Sequence, residues 1–172
     1  MLTKKAKYGL KALVYLAGLD PGQTALVADI ANANQIPKKF LDAILGELRN
    51  AGFVHSKKGK GGGYTLARTP AEIGVGNVIR ALDGPLAPIQ CASKTVYRRC
   101  DDCVDEVHCA VRMMMLQARE AIAGVLDKTT LAQMRTMGLE GELLENRDKE
   151  FPSHPGAPRL ASGMSPRHGH DV

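Results

Sequence analysis

Phe53-Val54-His55-Ser56-Lys57-Lys58-Gly59-Lys60-Gly61-Gly62-Gly63-Tyr64-Thr65-Leu66-Ala67 is the run on which the fold turns. Its two ends, Phe53-Val54-His55-Ser56 and Tyr64-Thr65-Leu66-Ala67, are rich in β-prone side chains and predicted to be short strands. Between them lie three lysines and four glycines, a basic, flexible loop whose backbone can come close to a ligand. The glycines lack the G-x-x-x-x-G-K-S/T order and do not lead from a strand into a helix, which sets nucleotide binding aside. A hairpin with a basic tip suits a polyanion, with lysines reaching phosphates or entering a minor groove.

The residues upstream supply the context. Ile36-Pro37 starts a helix with Pro near its first position. On that helix Phe40, Leu41, Ile44, Leu45 and Leu48 share one face, and Lys39, Asp42, Ala43 and Gly46 follow helical spacing on the other. A short helix before it is expected to be capped by Thr24, to turn Leu26, Val27 and Ile30 inward, and to end at Asn32, Asn34 and Gln35. A first helix over residues 3–18 carries Ala6, Leu10, Leu13, Val14 and Ala17 as its stripe and stops at Asp20-Pro21-Gly22. Short helix, tight turn, amphipathic helix and hairpin make a winged helix-turn-helix, whose second helix enters the major groove. Thr69-Pro70 is expected to begin a further helix through Val78, Ile79 and Leu82, ending at Asp83-Gly84-Pro85. Residues 1–84 then form one DNA-binding domain.

Charge agrees with that reading. Residues 1–68 hold 11 Lys and Arg against 4 Asp and Glu, while the other residues hold 12 against 14. The net +5 of the 172-residue chain therefore resides in the half that would meet double-stranded DNA. Lysines 4, 5, 7 and 11 interrupt the N-terminal apolar pattern, so no signal peptide is expected. No apolar run approaches the roughly 18–20 residues of a membrane span. A cytoplasmic protein without a membrane role is the expectation. No Ser-His-Asp or paired-carboxylate arrangement stands out, and no enzyme is read here.

All four cysteines fall in one segment, Cys91-x8-Cys100-x2-Cys103-x5-Cys109. In a cytosolic chain such clustering points to metal or redox chemistry rather than structural disulfides. Four thiolates serve zinc, [2Fe–2S] and [4Fe–4S] centres alike, and a thiol–disulfide switch is the third option. A thiol oxidoreductase ranks low, because no βαβ context surrounds Cys100-x2-Cys103. Arg98, Arg99 and Arg112 would favour thiolates, whereas Asp101, Asp102, Asp105 and Glu106 would oppose them. Residues 85–109 read as a sensor loop. After it, Val111, Met115, Ala118, Ile122 and Val125 form an a/d-like seam in the longest helical pattern, residues 110–127. Residues 110–137 are expected to form a homodimerisation helix and its end, and residues 138–172, with His168, His170 and Asp171, a flexible tail. The fold class is thus mainly α with a small β-hairpin wing and a long dimerisation helix.

Four segments carry a resemblance: Leu2-Thr3-Lys4-Lys5-Ala6-Lys7-Tyr8-Gly9-Leu10, Ile36-Pro37-Lys38-Lys39-Phe40-Leu41, Gly59-Lys60-Gly61-Gly62-Gly63-Tyr64 and Thr129-Thr130-Leu131-Ala132. Over roughly residues 1–135 the chain resembles the Rrf-type regulators, the family of IscR, NsrR, RirA and CymR. The resemblance implies a dimeric winged-helix repressor or activator of transcription. It also implies, for many members, an iron–sulfur cluster on three cysteines of this region. Cys91 matches the first family ligand and Cys103-x5-Cys109 the last two. Cys100 is then either a fourth ligand or, with Cys109, a ligand that leaves Cys103 spare. Arg112 stands where some members have a His, and His108 is expected to face solvent. The implied device is a repressor whose grip on its operator follows cluster occupancy, with zinc or a disulfide switch at the same cysteines as the alternative. From position, Lys39 and Asp42 are candidates for base edges, Lys38, Lys57, Lys58 and Thr3 for phosphates, and Lys60 for the minor groove.

Overall fold

A computed structural model describes residues 2–150. Residues 2–139 lie in one compact unit, and the expected tail residues 151–172 fall outside the described residues. Helix α1 (Lys4–Ala17) starts at Thr3, whose side chain accepts the Ala6 N–H, and buries Ala6, Leu10, Leu13, Leu16 and Ala17. Helices α2 (Val27–Asn34) and α3 (Lys38–Asn50) follow, joined by Gln35 in the left-handed conformation at φ 54°. A single left-handed residue reverses the chain within one turn, which gives the helix-turn-helix its tight corner. Leu41, Ile44, Leu45 and Leu48 of α3 are at most 1% exposed. Truncating one of them to Ala would cost about 2–5 kcal/mol.

Strands β1 (Val54–Lys57) and β2 (Gly63–Leu66) pair antiparallel with Val54 opposite Leu66 and Lys57 opposite Gly63. Helix α4 (Val75–Asp83) presents Val75, Val78, Ile79 and Leu82 to the core. It packs so closely on α1 that a Cβ on Gly9 would lie 2.4 Å from the Leu82 side chain. A loop then holds one 3₁₀ turn, Gln90–Ala92, before α5 (Ala110–Leu126) and α6 (Leu131–Glu150). Among the described residues no helix is long and apolar enough to cross a membrane.

Four expectations change. Thr24 does not cap α2: the cap position is Leu26, which is 55% exposed, while Thr24 donates its hydroxyl to Gly61 and Gly62 carbonyls. The cause is Ala25, drawn into an antiparallel bridge with Tyr64 that delays α2 and turns Leu26 outward. Helix α4 begins at Val75 rather than at Thr69-Pro70, because the Glu72 carboxylate takes the Thr69 N–H and hydroxyl and closes a separate turn. Phe40 is 42% exposed, lying at the first turn of α3 beyond the core and edge-on to Tyr8 with ring centroids 5.9 Å apart. Finally, the longest described helix is α6, and residues 138–150 of the expected tail belong to it. No proline interrupts the chain between Pro88 and Pro152, so nothing breaks the helix there.

Candidate nucleic-acid interface and cysteine loop

Exposed lysines lie on α3 and on the hairpin of the compact unit. Lys38, Lys39, Asp42 and Ala43 line the exposed side of α3, opposite its buried leucines. Lys38 reaches Asp42 at 3.3 Å, one helical turn away. Lys57, Lys58 and Lys60 are exposed on the hairpin, and none has a carboxylate partner among the described residues. Unpaired ammonium groups beside an exposed helix face suit phosphate contacts.

The wing tip is a folded turn rather than the flexible loop its glycines suggest. The Gly62 N–H donates to the Gly59 carbonyl at 2.9 Å. A Cβ at Gly62 would sit 2.5 Å from the Lys57 carbonyl oxygen, and one at Gly63 would sit 2.5 Å from that of Ala25. Gly63 also holds φ 144°, which side-chain-bearing residues rarely adopt. Ala25 exchanges hydrogen bonds of 3.0 and 2.8 Å with Tyr64, fastening the hairpin to the segment before α2. Sequence reasoning missed this one-residue third strand, since two extended residues have no readable periodicity.

Thr3 is placed differently from the other candidates. Its hydroxyl donates to Asp83 Oδ1 at 2.5 Å, and its backbone N–H to Asp83 Oδ2 at 2.8 Å. The single hydroxyl proton is thus committed to closing α1 onto the end of α4.

The four cysteines come as two pairs. Cys91, on the 3₁₀ turn, is 4% exposed and neighbours the Cys100 thiol. Cys109 occupies the N-cap position of α5 and neighbours the Cys103 thiol, which donates to the Asp105 carbonyl at 3.5 Å. Cys103 N–H to the Cys100 carbonyl, at 3.4 Å, joins the pairs. All four are free thiols. The neighbouring Cys91 side chain first, then burial and the nearby Asp102 and Cys103 charges, push the Cys100 thiol up to about 11. Burial first, then the Cys109 contact, raises Cys103 as well.

Each pair joins one anchored cysteine to one on the loop. Arg112 of α5 donates to the Cys91 carbonyl at 3.1 Å, and Lys94 meets Glu120 at 2.5 Å. On the loop, Arg99 donates to the Cys103 carbonyl at 3.0 Å and pairs with Glu106 at 2.9 Å, while the Tyr97 hydroxyl also bonds Glu106. His108 is exposed and its Nδ1 lies 2.6 Å from Asp105, away from any thiol. Among the described residues, no three Cys, His, Asp or Glu side chains gather on one point. The donor set, four soft thiols with Cys91 beside Cys100 and Cys109 beside Cys103, fits a group that takes its ligands two at a time.

A profile of the Rrf2 family, described as iron-dependent transcriptional regulators, matches residues 2–136. The chain is 39% identical over 141 residues to an rrf2-like HTH-type transcriptional regulator of Rhodobacter capsulatus, covering 80% of this chain and 94% of that one. It is 34% identical over 133 residues to the HTH-type transcriptional regulator NsrR of Geobacillus kaustophilus, covering 77% and 88%. Among solved structures, CymR, the global cysteine regulator of Bacillus subtilis, superposes with a TM-score of 0.66 at 31% identity, covering 80% and 97%.

Proposed function

The chain belongs to the Rrf2 family of DNA-binding transcriptional regulators, and on that footing we propose a cytoplasmic, homodimeric repressor whose operator affinity is set by an iron–sulfur cluster on Cys91, Cys100, Cys103 and Cys109. The observation that carries the cluster reading is the gathering of four free thiols, Cys91 beside Cys100 and Cys109 beside Cys103, after the last helix of the winged domain. A two-iron centre takes two thiolates per metal, whereas a single zinc ion needs all its donors at one point. The thiols of Cys100 and Cys103 are raised in part by the neighbouring cysteines, a repulsion that a cationic core would relieve.

When bound, the cluster supplies a redox-active iron core that oxidation or iron shortage can remove. The protein's part is mechanical. Cys91 and Cys109 are tied to α5, so a cluster held by all four thiols would fasten residues 94–108 to that helix. Toward DNA, α3 brings Lys39 and Asp42 to base edges, Lys38, Lys57 and Lys58 neutralise phosphates, and Lys60 reaches the minor groove. Thr3 serves the α1–α4 closure instead of a phosphate. Dimerisation is supported by the α5 seam, on which Val111 is 64%, Ile122 40% and Val125 65% exposed. Apolar side chains spaced in this way and left open to water favour a partner helix.

Oxygen-free purification followed by absorption spectroscopy and iron, sulfide and zinc analysis tests this. Broad absorption near about 400 nm with matched iron and sulfide is expected. Stoichiometric zinc without iron would overturn the cluster reading, as would a metal-free protein that reversibly forms Cys91–Cys100 and Cys103–Cys109 disulfides.

A further inference from the structure

We propose that Arg80, Asp127 and Gly76 form the latch through which α5 positions the DNA-reading domain, an inference that rests on the reading that the cysteine loop modulates DNA binding. The inner face of α4 is fused into the core, with Leu82 against Gly9 of α1, so α4 moves only with the winged domain. Its outer face meets the far end of α5. There Asp127, the residue closing α5, accepts two hydrogen bonds from the Arg80 guanidinium, at 2.6 and 2.8 Å. Asn77 receives a third, at 3.4 Å.

Gly76 makes that seat possible. A Cβ there would lie 2.1 Å from Asp127 Oδ1 and 3.1 Å from Arg80 Nη1, so the carboxylate rests directly on α4. The backbone just beyond is stitched to the same helix start. Val75 N–H donates to the Thr129 carbonyl at 2.9 Å, and Leu131 N–H to that of Ile73 at 2.8 Å.

The opposite end of α5 is Cys109. Seventeen residues of helix, about 25 Å, thus separate a thiol ligand from the latch. A helix that long transmits a shift or rotation with little bending. Arg80 and Asp127 are the only side-chain ion pair between α4 and α5 among the described residues. Two parallel hydrogen bonds also fix orientation, which a single charge contact does not. They are positioning residues and touch neither DNA nor the thiols.

The test uses the full chain in cluster-loaded and cluster-free forms, with a duplex enriched from a random pool by the wild-type protein. The loaded and free wild types are expected to differ in Kd by about a hundredfold. Asp127→Asn and Gly76→Ala should fold and dimerise, with that ratio reduced at least tenfold. The exchange of Arg80→Asp with Asp127→Arg should restore it, which a merely destabilised variant would not do. An unchanged ratio in Asp127→Asn overturns the latch. A wild type with no ratio overturns the cluster reading instead. The latch is then judged on nitroxide distances between unnatural amino acids at Ser56 and Gln117 in cluster-free protein. A narrow distribution that broadens in Asp127→Asn upholds it, and an unbroadened one overturns it.

Discussion

Asp127 sits below the ordinary carboxylate value chiefly because Arg80 hydrogen-bonds it, and Arg80 is raised in return. A carboxylate whose folded pKa is depressed adds stability above its unfolded value and loses it as pH falls through the folded one. The pair is partly exposed, at 29% and 44%, so solvent screening keeps its worth to about 1 kcal/mol or less. Thermal unfolding of wild type and Asp127→Asn should therefore differ by no more than a few degrees at neutral pH. The gap should close as pH drops below the ordinary 3.8. Lys39 has a different signature. Lys39→Ala should alter preference among sites in a selection from random duplexes, and a uniform loss at every site would make it a phosphate contact. At this scale the sequence located the thiols by type and spacing but left open whether Cys100 is a fourth ligand or, with Cys109, a ligand that leaves Cys103 spare. Which thiols lie together depends on the path of the connection between α4 and α5, residues 84–109, and no local pattern encodes it.

The hairpin depends on one glycine more than on its strands. Gly63→Ala puts a side chain 2.5 Å from the Ala25 carbonyl at φ 144°, a strain of about 1–3 kcal/mol. The expected result is a lower melting temperature together with weaker binding in fluorescence anisotropy. For α5 the expectation is assembly-specific. Val125→Glu should give monomers in sedimentation velocity while leaving the far-ultraviolet circular dichroism of the subunit intact. Periodicity made α1 and α3 legible, because each buries one face of a regular repeat, whereas β1 and β2 were legible from β-prone residues on either side of a glycine-rich turn. It failed for the start of α2, set by the distant pairing of Ala25 with Tyr64, and for that of α4, where the Glu72 carboxylate closes a separate turn on Thr69. Helix α6 lacked a readable stripe, so its composition passed for the beginning of a tail.

Across the whole molecule, charge is partitioned with function: the basic residues concentrate in the winged domain, and the cysteine loop carries Asp101, Asp102, Asp105 and Glu106. Binding should accordingly fall steeply with salt. Lys57→Ala with Lys58→Ala should flatten the log–log salt slope by about 1.8, two phosphate contacts' worth, at every sequence tested. An unchanged slope would remove the wing from the interface.

The Ala25–Tyr64 bridge and the Thr24 hydroxyl bind wing and helix-turn-helix into a single inflexible stamp. Such a stamp cannot loosen its grip letter by letter. In a dimer, what a signal can alter is the stride from one stamp to the next. Half-site sequence should then set how tightly each state binds, and spacer length should set which state wins. One base pair added between half-sites turns one of them by about 35° about the duplex axis. An operator so altered would answer to the opposite signal, or to none.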